Sequence, residues 1–204
     1  MQHIRRLVSN VSYTWCTCSS SAWWTKFNAC LCLFVFLIFF FRISRVYVAW
    51  SGFGMYRNCC GGDVEMPEIY TRTLASASAA DWDYDSWVPD VVVINLGTND
   101  RLNATFPGEA EVAYQQIYID FVRNISTWYS NPEVFLACGP MSVEYCPYVF
   151  NVIEELQNEV KVHFLDQRNV LNATNQCCDH PDMDADVTLA DITISAIAAV
   201  MAWD

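Results

Sequence analysis

Stretches of apolar residues alternate with stretches of helical periodicity along most of the chain. Residues 91–96 are almost entirely apolar and rich in β-branched side chains, which is typical of a strand buried on both faces of a parallel sheet. Apolar residues at helical spacing predict an amphipathic helix over residues 109–129. The same reasoning predicts strands at 46–50, 134–138 and 160–165, helices at 149–159 and 185–203, and weak helical character at 67–80. In the last helix we expect Val187, Ile192, Ile197 and Val200 to face the core.

Strand and helix therefore alternate at least four times. This alternation predicts an α/β fold, a three-layer α/β/α sandwich with a mostly parallel sheet and right-handed crossovers. No internal repeat or linker marks a second globular unit, so we expect one domain over residues 46–204. Ligands of such sheets bind at the carboxyl ends of the strands, so the loops that follow strands are the place to look for chemistry.

The first 45 residues differ in composition and form a segment of their own. An apolar run at residues 29–41 follows basic residues and is closed by Arg42 and Arg45. Its length suits the core of a signal peptide better than a full membrane span, which needs about 20 residues. No small-residue cleavage site follows it, so a signal anchor in a membrane is the second interpretation. A buried element of the domain and sequence outside the native coding frame are two further interpretations.

Composition and charge narrow the class of protein. Hydrophobic residues make up 53% of the 204 residues, which excludes disorder for most of the chain. The net charge of −12 argues against nucleic acid as a partner, because phosphate binding needs clustered Lys and Arg. Ten cysteines and four glycosylation sequons predict the secretory pathway, with the domain secreted or membrane-anchored outside the cytoplasm. The sequons begin at Asn10, Asn103, Asn124 and Asn172, and nothing in the sequence sets an oligomeric state.

Three candidate residues follow separate predicted strands. Gly52 follows the strand at 46–50, Asn99 follows the strand at 91–96, and His180 lies in the loop before the last helix. The backbone N–H of Gly52 and the carboxamide of Asn99 are hydrogen-bond donors, and two converging donors can stabilise a developing oxyanion. Histidine is suited to take a proton from a hydroxyl and return it to a leaving group. The pattern is that of acyl-transfer chemistry.

Three ordered motifs carry a resemblance to a known family. They are Trp50-Ser51-Gly52-Phe53-Gly54, then Val92-Val93-Ile94-Asn95-Leu96-Gly97-Thr98-Asn99-Asp100, then Asp179-His180-Pro181 before the last helix. Together they resemble the SGNH (GDSL-type) hydrolases, and in particular the carbohydrate acetyl esterases similar to carbohydrate esterase family 2. The resemblance implies a flavodoxin-like fold and a serine acyl-enzyme that hydrolyses a small ester or an acetylated carbohydrate. It further implies Gly52 and Asn99 as the oxyanion hole, His180 as the general base, and no metal or organic cofactor.

The chain also departs from that family. The family's nucleophile belongs to a Gly-Asp-Ser motif at the first strand, and this chain has no Gly-Asp-Ser. The nucleophile is therefore unassigned, and the first strand of the fold could be missing. The family often has Asp three residues before the histidine, where this chain has Cys177, which leaves Asp179 as the remaining candidate for the orienting acid. The rival hypothesis is a catalytically silent or truncated protein of the same fold that at most binds glycans.

Simpler interpretations remain open for several of these residues. Asn99 and Asp100 could cap the turn after their own strand, because Asn and Asp favour such positions. The aromatic residues Trp82, Tyr84 and Trp87 could stack on sugar rings or could anchor their loop to the core.

The paired cysteines also leave alternatives. A disulfide between Cys138 and Cys146 would close a short loop over the carboxyl edge of the sheet. The other candidate bridge joins one of Cys59 and Cys60 to one of Cys177 and Cys178. The same four cysteines with His180 could form a zinc site, but vicinal cysteines lack the two-residue spacing that lets two thiolates share one tetrahedral metal.

Overall fold

The fold is built on one parallel sheet. The computed structural model describes residues 5–11, 43–74, 76, 78–101, 109–172, 174–177 and 180–203. Its five sheet strands are β1 (Arg5–Val11), β2 (Ile43–Val48), β3 (Val91–Asn95), β4 (Glu133–Cys138) and β5 (Val162–Asp166). They lie in the order β2-β1-β3-β4-β5, and every neighbouring pair is parallel. This is the strand order of a flavodoxin-like doubly wound sheet.

The first strand of that sheet is present, although the sequence left it open. Arg5–Val11 pairs with β2 on one side and with β3 on the other, so it occupies an inner position. In the register, Leu7 lies between Arg45 and Val91. The division of the chain at residue 45 stays a prediction. The apolar run at residues 29–41 lies outside the described residues.

Helices cover both faces of the sheet. They are α1 (Met66–Ile69), α2 (Glu109–Trp128), α3 (Cys146–Leu156) and α4 (Met183–Met201), and a short hairpin of β6 (Gln176–Cys177) and β7 (His180–Pro181) precedes α4. One core lies between the sheet and α2 and α3, and a second core lies between the sheet and α4. The predicted three-layer α/β/α sandwich is confirmed. None of the helices in the described parts of the chain is long and apolar enough to cross a membrane.

Strand β3 shows why the sequence folds this way. Val92 and Ile94 pack into the core beneath α2 and α3, while Val91 and Val93 pack into the core beneath α4. Successive side chains of a strand point to opposite faces, so a strand covered on both faces must be apolar throughout. The continuous apolar run at residues 91–94 meets that requirement.

Two details of the sequence prediction are wrong. Residues 67–80 are mostly not helical, since α1 spans only Met66–Ile69 and the chain then turns back on itself through a bridge between Arg72 and Asp81. In α4, Ile197 is buried and Ile192 packs against the core, but Val187 and Val200 are 54% and 39% exposed.

The wrong prediction for the core-facing side of α4 has a geometric cause. The helix buries Ala185 and Leu189. Val187 lies two residues from each of them, about 200° around the helix axis, and therefore faces solvent. Val200 is in the last turn of the helix.

The strand order also locates a crevice. From β1 the chain runs outward to β2, and it then continues on the opposite side of β1 with β3, β4 and β5. The carboxyl ends of β1 and β3 thus flank the point at which the winding direction reverses, where ligands of open α/β sheets bind.

Candidate active site

The first candidate donor belongs to a tight loop that follows β2. Gly52 is buried and has φ +82°, a left-handed conformation that glycine adopts without strain. Its carbonyl accepts a hydrogen bond from the N–H of Cys59 at 2.9 Å, which closes the loop. Among the described residues, no group accepts a hydrogen bond from the Gly52 N–H. This N–H is therefore a candidate donor to a ligand.

The second candidate donor lies at the end of β3. Gly97, with φ +134°, turns the chain into a 3-10 turn at Thr98–Arg101, and Asn99 in this turn is only 4% exposed. The Asn99 carboxamide donates through Nδ2 to the carbonyl of Phe53 at 2.8 Å. A carboxamide carries two N–H donors, so its nitrogen can donate more than one hydrogen bond. Phe53 is the neighbour of Gly52, so the two candidate donors are brought to one place.

The neighbouring Asp100 binds the same loop. Its carboxylate accepts hydrogen bonds from the backbone N–H groups of Met55 at 2.9 Å, Tyr56 at 2.7 Å and Arg57 at 2.9 Å. Burial raises the pKa of Asp100, and these backbone hydrogen bonds act against that rise. The side chains of Asn99 and Asp100 therefore reach across to another segment, beyond the turn that they could have capped.

The charge of Asp100 also acts on nearby tyrosines. Burial, followed by the repulsion of the Asp100 charge, raises the pKa of Tyr145 to about 12. The hydroxyl of Tyr114 donates to the carbonyl of Leu96 at 3.1 Å, and a Cβ on Gly97 would lie 2.9 Å from that hydroxyl. These contacts fix the turn that carries Asn99.

His180 lies in the β6–β7 hairpin, directly before α4. The first turns of α4 pack on Val170, which follows β5, so the hairpin belongs to the carboxyl edge of the sheet. The Nε2 atom of His180 is shielded from solvent. Asp182 caps α4 by accepting hydrogen bonds from the N–H groups of Asp184 and Ala185, both at 3.0 Å. The roles of His180 and of Asp179, which lies outside the described residues, stay predictions.

Two disulfides lie at this edge of the sheet. Cys138 and Cys146 are bonded, which confirms the predicted bridge, and they join the end of β4 to the start of α3. Cys59 is bonded to its neighbour Cys60. The predicted bridge from this pair to the cysteines at 177 and 178 is therefore wrong, and the two thiolates that the alternative zinc site needed from this pair are consumed. A Cβ on Gly52 would lie 3.1 Å from the Cys59 Sγ, so the disulfide packs against the Gly52 loop.

The loop at residues 81–87, which carries three acidic and three aromatic residues, is attached to the core through Tyr84. The Tyr84 ring stacks on Trp128 of α2, with centroids 4.6 Å apart, and meets Tyr129 edge-on at 5.4 Å. The anchoring interpretation therefore applies to Tyr84. A separate cleft of about 230 Å³ lies beside β2 and is lined by aromatic residues that include Trp50, Trp82 and Trp87.

The chain is similar in sequence to two esterases. No protein-family model matches the chain. The cellulase/esterase CelE of Acetivibrio thermocellus is 30% identical over 168 residues, which span 76% of this chain and 20% of that protein. The acetylxylan esterase / glucomannan deacetylase of Cellvibrio japonicus is 33% identical over 95 residues, which span 45% of this chain and 26% of that protein.

Solved structures agree with these relatives. A carbohydrate esterase family 2 enzyme of Corynascus thermopiles (Myceliophthora fergusii) has a TM-score of 0.77 and 25% identity, covering all of this chain and 69% of that one. The chain is similar to carbohydrate esterase family 2. A family 2 esterase of Clostridium thermocellum in complex with cellohexaose shares the fold, with a TM-score of 0.77, 20% identity and coverage of 67% of that chain. The present chain spans only about a fifth to a quarter of the two curated relatives.

The two candidate donors could be predicted from the sequence, but the hydrogen bonds and the disulfide that fix their loops could not. A local cap was the only contact considered for Asp100, whereas its partners lie 43 to 45 residues earlier. The bond between adjacent Cys59 and Cys60 was not predicted either. Neither contact leaves a periodic signal, and only the paired types of the cysteines hinted at a bridge.

Proposed function

We propose that the protein hydrolyses carboxylic esters, with acetyl groups on carbohydrate as the substrate class. In this proposal the Gly52 N–H and the Asn99 carboxamide donate to the oxyanion of the tetrahedral intermediate, and His180 is the general base. Asp179 is the proposed orienting acid. The similarity to family 2 carbohydrate esterases supports the assignment.

One observation carries the proposal. The hydrogen bond of 2.8 Å from Asn99 Nδ2 to the Phe53 carbonyl holds a side-chain amide beside the Gly52 loop, at the carboxyl edge of the sheet. Preorganised donors that face a developing negative charge are usually the largest single contribution to acyl-transfer catalysis, because they need no reorganisation during the reaction. This hydrogen bond supports the proposed place of the Asn99 carboxamide beside the Gly52 loop.

The proposed reaction follows from these groups. A serine hydroxyl attacks the ester carbonyl while His180 takes its proton, and the carbonyl oxygen becomes an oxyanion that the two N–H donors stabilise. His180 then returns the proton to the leaving alcohol, and water hydrolyses the acyl-enzyme by the same route. The nucleophilic serine is unassigned. Labelling with a fluorophosphonate followed by peptide mapping would identify it.

The aromatic cleft beside β2 supports a carbohydrate substrate. Trp50 lies two residues before Gly52 and is 48% exposed, and its ring meets the Phe53 ring edge-on with centroids 6.0 Å apart. Aromatic rings bind the apolar faces of sugars because they supply large, rigid contact surfaces. The cellohexaose complex of the Clostridium thermocellum esterase shows that a protein of this fold binds a glucan chain.

The cysteines and sequons support a secretory location for the domain. A membrane anchor at residues 29–41 remains part of this proposal only as the alternative to a signal peptide. The proposed reaction is the same for a signal peptide and for a membrane anchor.

Hydrolysis of p-nitrophenyl acetate tests the proposed activity. Asn99→Ala removes one oxyanion donor, so we expect kcat to fall about 100- to 1,000-fold. KM should change little, because the donor acts on the transition state more than on the bound ester. Wild-type turnover that equals the turnover of Asn99→Ala would refute the proposal and favour a silent glycan-binding protein.

Acetylated xylan tests the carbohydrate part of the proposal. Trp50→Ala should raise KM for the acetylated polysaccharide about 5-fold, which corresponds to the loss of one aromatic contact of about 1 kcal/mol. The KM for p-nitrophenyl acetate should stay within about twofold of the wild-type value, because so small an ester does not reach the cleft. An equal rise for both substrates would contradict the assignment of the cleft.

A further inference from the structure

The carboxylate of Asp100 has an unusual set of partners. It is 3% exposed and lies in the turn after β3, next to Asn99. Three consecutive backbone N–H groups, those of Met55, Tyr56 and Arg57, converge on its two oxygens at 2.7 to 2.9 Å. Consecutive N–H groups that point to one centre form a concave site for an anion, and here the anion is a side chain of the protein itself.

The loop that surrounds this carboxylate fits it closely. A Cβ on Gly54 would lie 2.5 Å from Asp100 Oδ2 and 1.9 Å from the Arg57 carbonyl oxygen. Only glycine therefore lets the backbone wrap the carboxylate at this distance. The Gly54 N–H donates to the Asn58 side chain at 3.1 Å, which holds the same loop from its other end.

Asn99 and Asp100 act on one segment. Asn99 binds the carbonyl of Phe53, and Asp100 binds the N–H groups of the three residues from Met55 to Arg57. Four hydrogen bonds from two consecutive side chains thus fix residues 53–57, directly after Gly52. Any shift of this segment would change the position of the Gly52 N–H relative to the Asn99 carboxamide.

From this geometry we propose that Asp100 is a positioning residue that sets the distance between the two oxyanion donors. The inference rests on the proposed function, because it assigns Asp100 to the same site. Catalysis is sensitive to such distances, and a misplacement of about 1 Å can cost about 100-fold in rate. Asp100 does not contact the reacting atoms in this proposal. It acts through the loop.

Asp100→Asn is the direct test, because it keeps the shape of the side chain and replaces one accepting oxygen by a donor that faces the backbone N–H groups. We expect kcat for p-nitrophenyl acetate to fall about 10- to 100-fold, with KM within about twofold of wild type. In an Asn99→Ala background the same substitution should change kcat less than about threefold, because the second donor, whose distance from the Gly52 N–H Asp100 sets, is already gone. Equal losses in both backgrounds would overturn the proposal.

Thr193→Val is the matched control for a general loss of stability. It removes the hydrogen bond of 3.1 Å from the Gln167 amide to the Thr193 hydroxyl, which joins the end of β5 to α4, away from the Gly52 loop. This variant should unfold at a lower temperature and keep kcat. A loss of kcat in Thr193→Val as large as in Asp100→Asn would show that destabilisation alone explains the effect.

Hydrogen exchange gives a readout that does not depend on turnover. In Asp100→Asn the amides of residues 55–57 should exchange about 10-fold faster or more, while those of β3 and β4 keep their protection. Unchanged exchange at residues 55–57 would overturn the proposal. A wild-type protein without esterase turnover would refute the proposed function, and the exchange rates would still show whether Asp100 holds the loop.

Discussion

At the scale of single residues, the candidate site depends on backbone shape as much as on side chains. Gly52 has φ +82° and packs against the Cys59–Cys60 disulfide. Gly61 has a similar φ of +89°, but a Cβ there would meet nothing within 4 Å. The two glycines therefore separate the cost of backbone strain from the cost of a collision.

Gly52→Ala should impair both stability and catalysis. A side chain at this φ costs about 1 kcal/mol of stability, and the added methyl group would press on the Cys59 sulfur and displace the loop. We expect kcat for an aryl acetate to fall about 10-fold or more. Gly61→Ala should lose only the cost of backbone strain, about 1 kcal/mol, measured as the free energy of unfolding in urea, and should keep kcat. Full activity in Gly52→Ala would contradict the role of its N–H.

The contacts of single residues were the hardest to predict. The disulfide between Cys138 and Cys146 could be predicted from the sequence, because the two cysteines are eight positions apart and a short loop can close between them. The contacts of Asp100 could not be predicted, because the loop that its carboxylate binds is distant in the chain. Arg57 is the only charged residue among its partners, and it binds through its backbone N–H. Every residue except proline carries a backbone N–H, so the residue types of a loop do not indicate that it binds an anion.

At the scale of elements, α4 combines a good cap with an electrostatic cost. Asp182 caps the helix, and Asp186 follows in its first turn. Burial and the nearby charge of Asp182 raise the pKa of Asp186 to about 6. An unfolded Asp titrates near 3.9, so the contribution of Asp186 to stability is fully present below about pH 4 and is lost as pH rises through 6.

Asp186→Asn should therefore stabilise the protein at neutral pH. The melting temperature at pH 7.5 should rise by a few degrees, which corresponds to about 1 kcal/mol after solvent screening, and it should not rise at pH 4. Asp184→Asn is the control, because Asp184 is exposed in the same turn and its charge favours the helix N-terminus. That variant should melt at a slightly lower temperature at pH 7.5. An equal gain for Asp186→Asn at both pH values would be inconsistent with this account.

The elements themselves were largely predictable, for a physical reason. Strands β3 and β4 are covered on both faces, which demands continuous apolar runs, and α2 and α3 need one apolar stripe each. Strand β1 gave no such signal, because Arg5–Val11 begins with two arginines and contains Ser9 and Asn10. Its assignment depends on its two neighbours in the sheet, which local sequence does not encode.

At the scale of the whole molecule, β1 joins two parts of the sheet. It lies between β2, which leads to Gly52, and β3, which leads to Asn99. Without β1 the two strands would each lose a neighbour, and the inner edge of β3 would become an exposed apolar strand edge. The site therefore depends on an N-terminal strand that contributes no identified catalytic group.

A chain shortened to begin at Arg45 should consequently aggregate. Size-exclusion chromatography should show it in the void volume or as large oligomers, because the edges of β2 and β3 are unpaired. A chain that begins at Arg5 keeps β1 and should elute as the full-length protein does. A shortened chain that elutes as a monomer and retains turnover would refute the central place of β1.

The strand order has a last consequence for how the protein can be divided. Gly52, Asn99 and His180 come from points of the chain separated by 47 and 81 residues, and each follows a different strand of one parallel sheet. A cut in the backbone between Gly52 and β3 would leave two fragments, and neither would carry both proposed oxyanion donors. Turnover could then return only by complementation, when the fragments reassociate through the β1–β3 pairing.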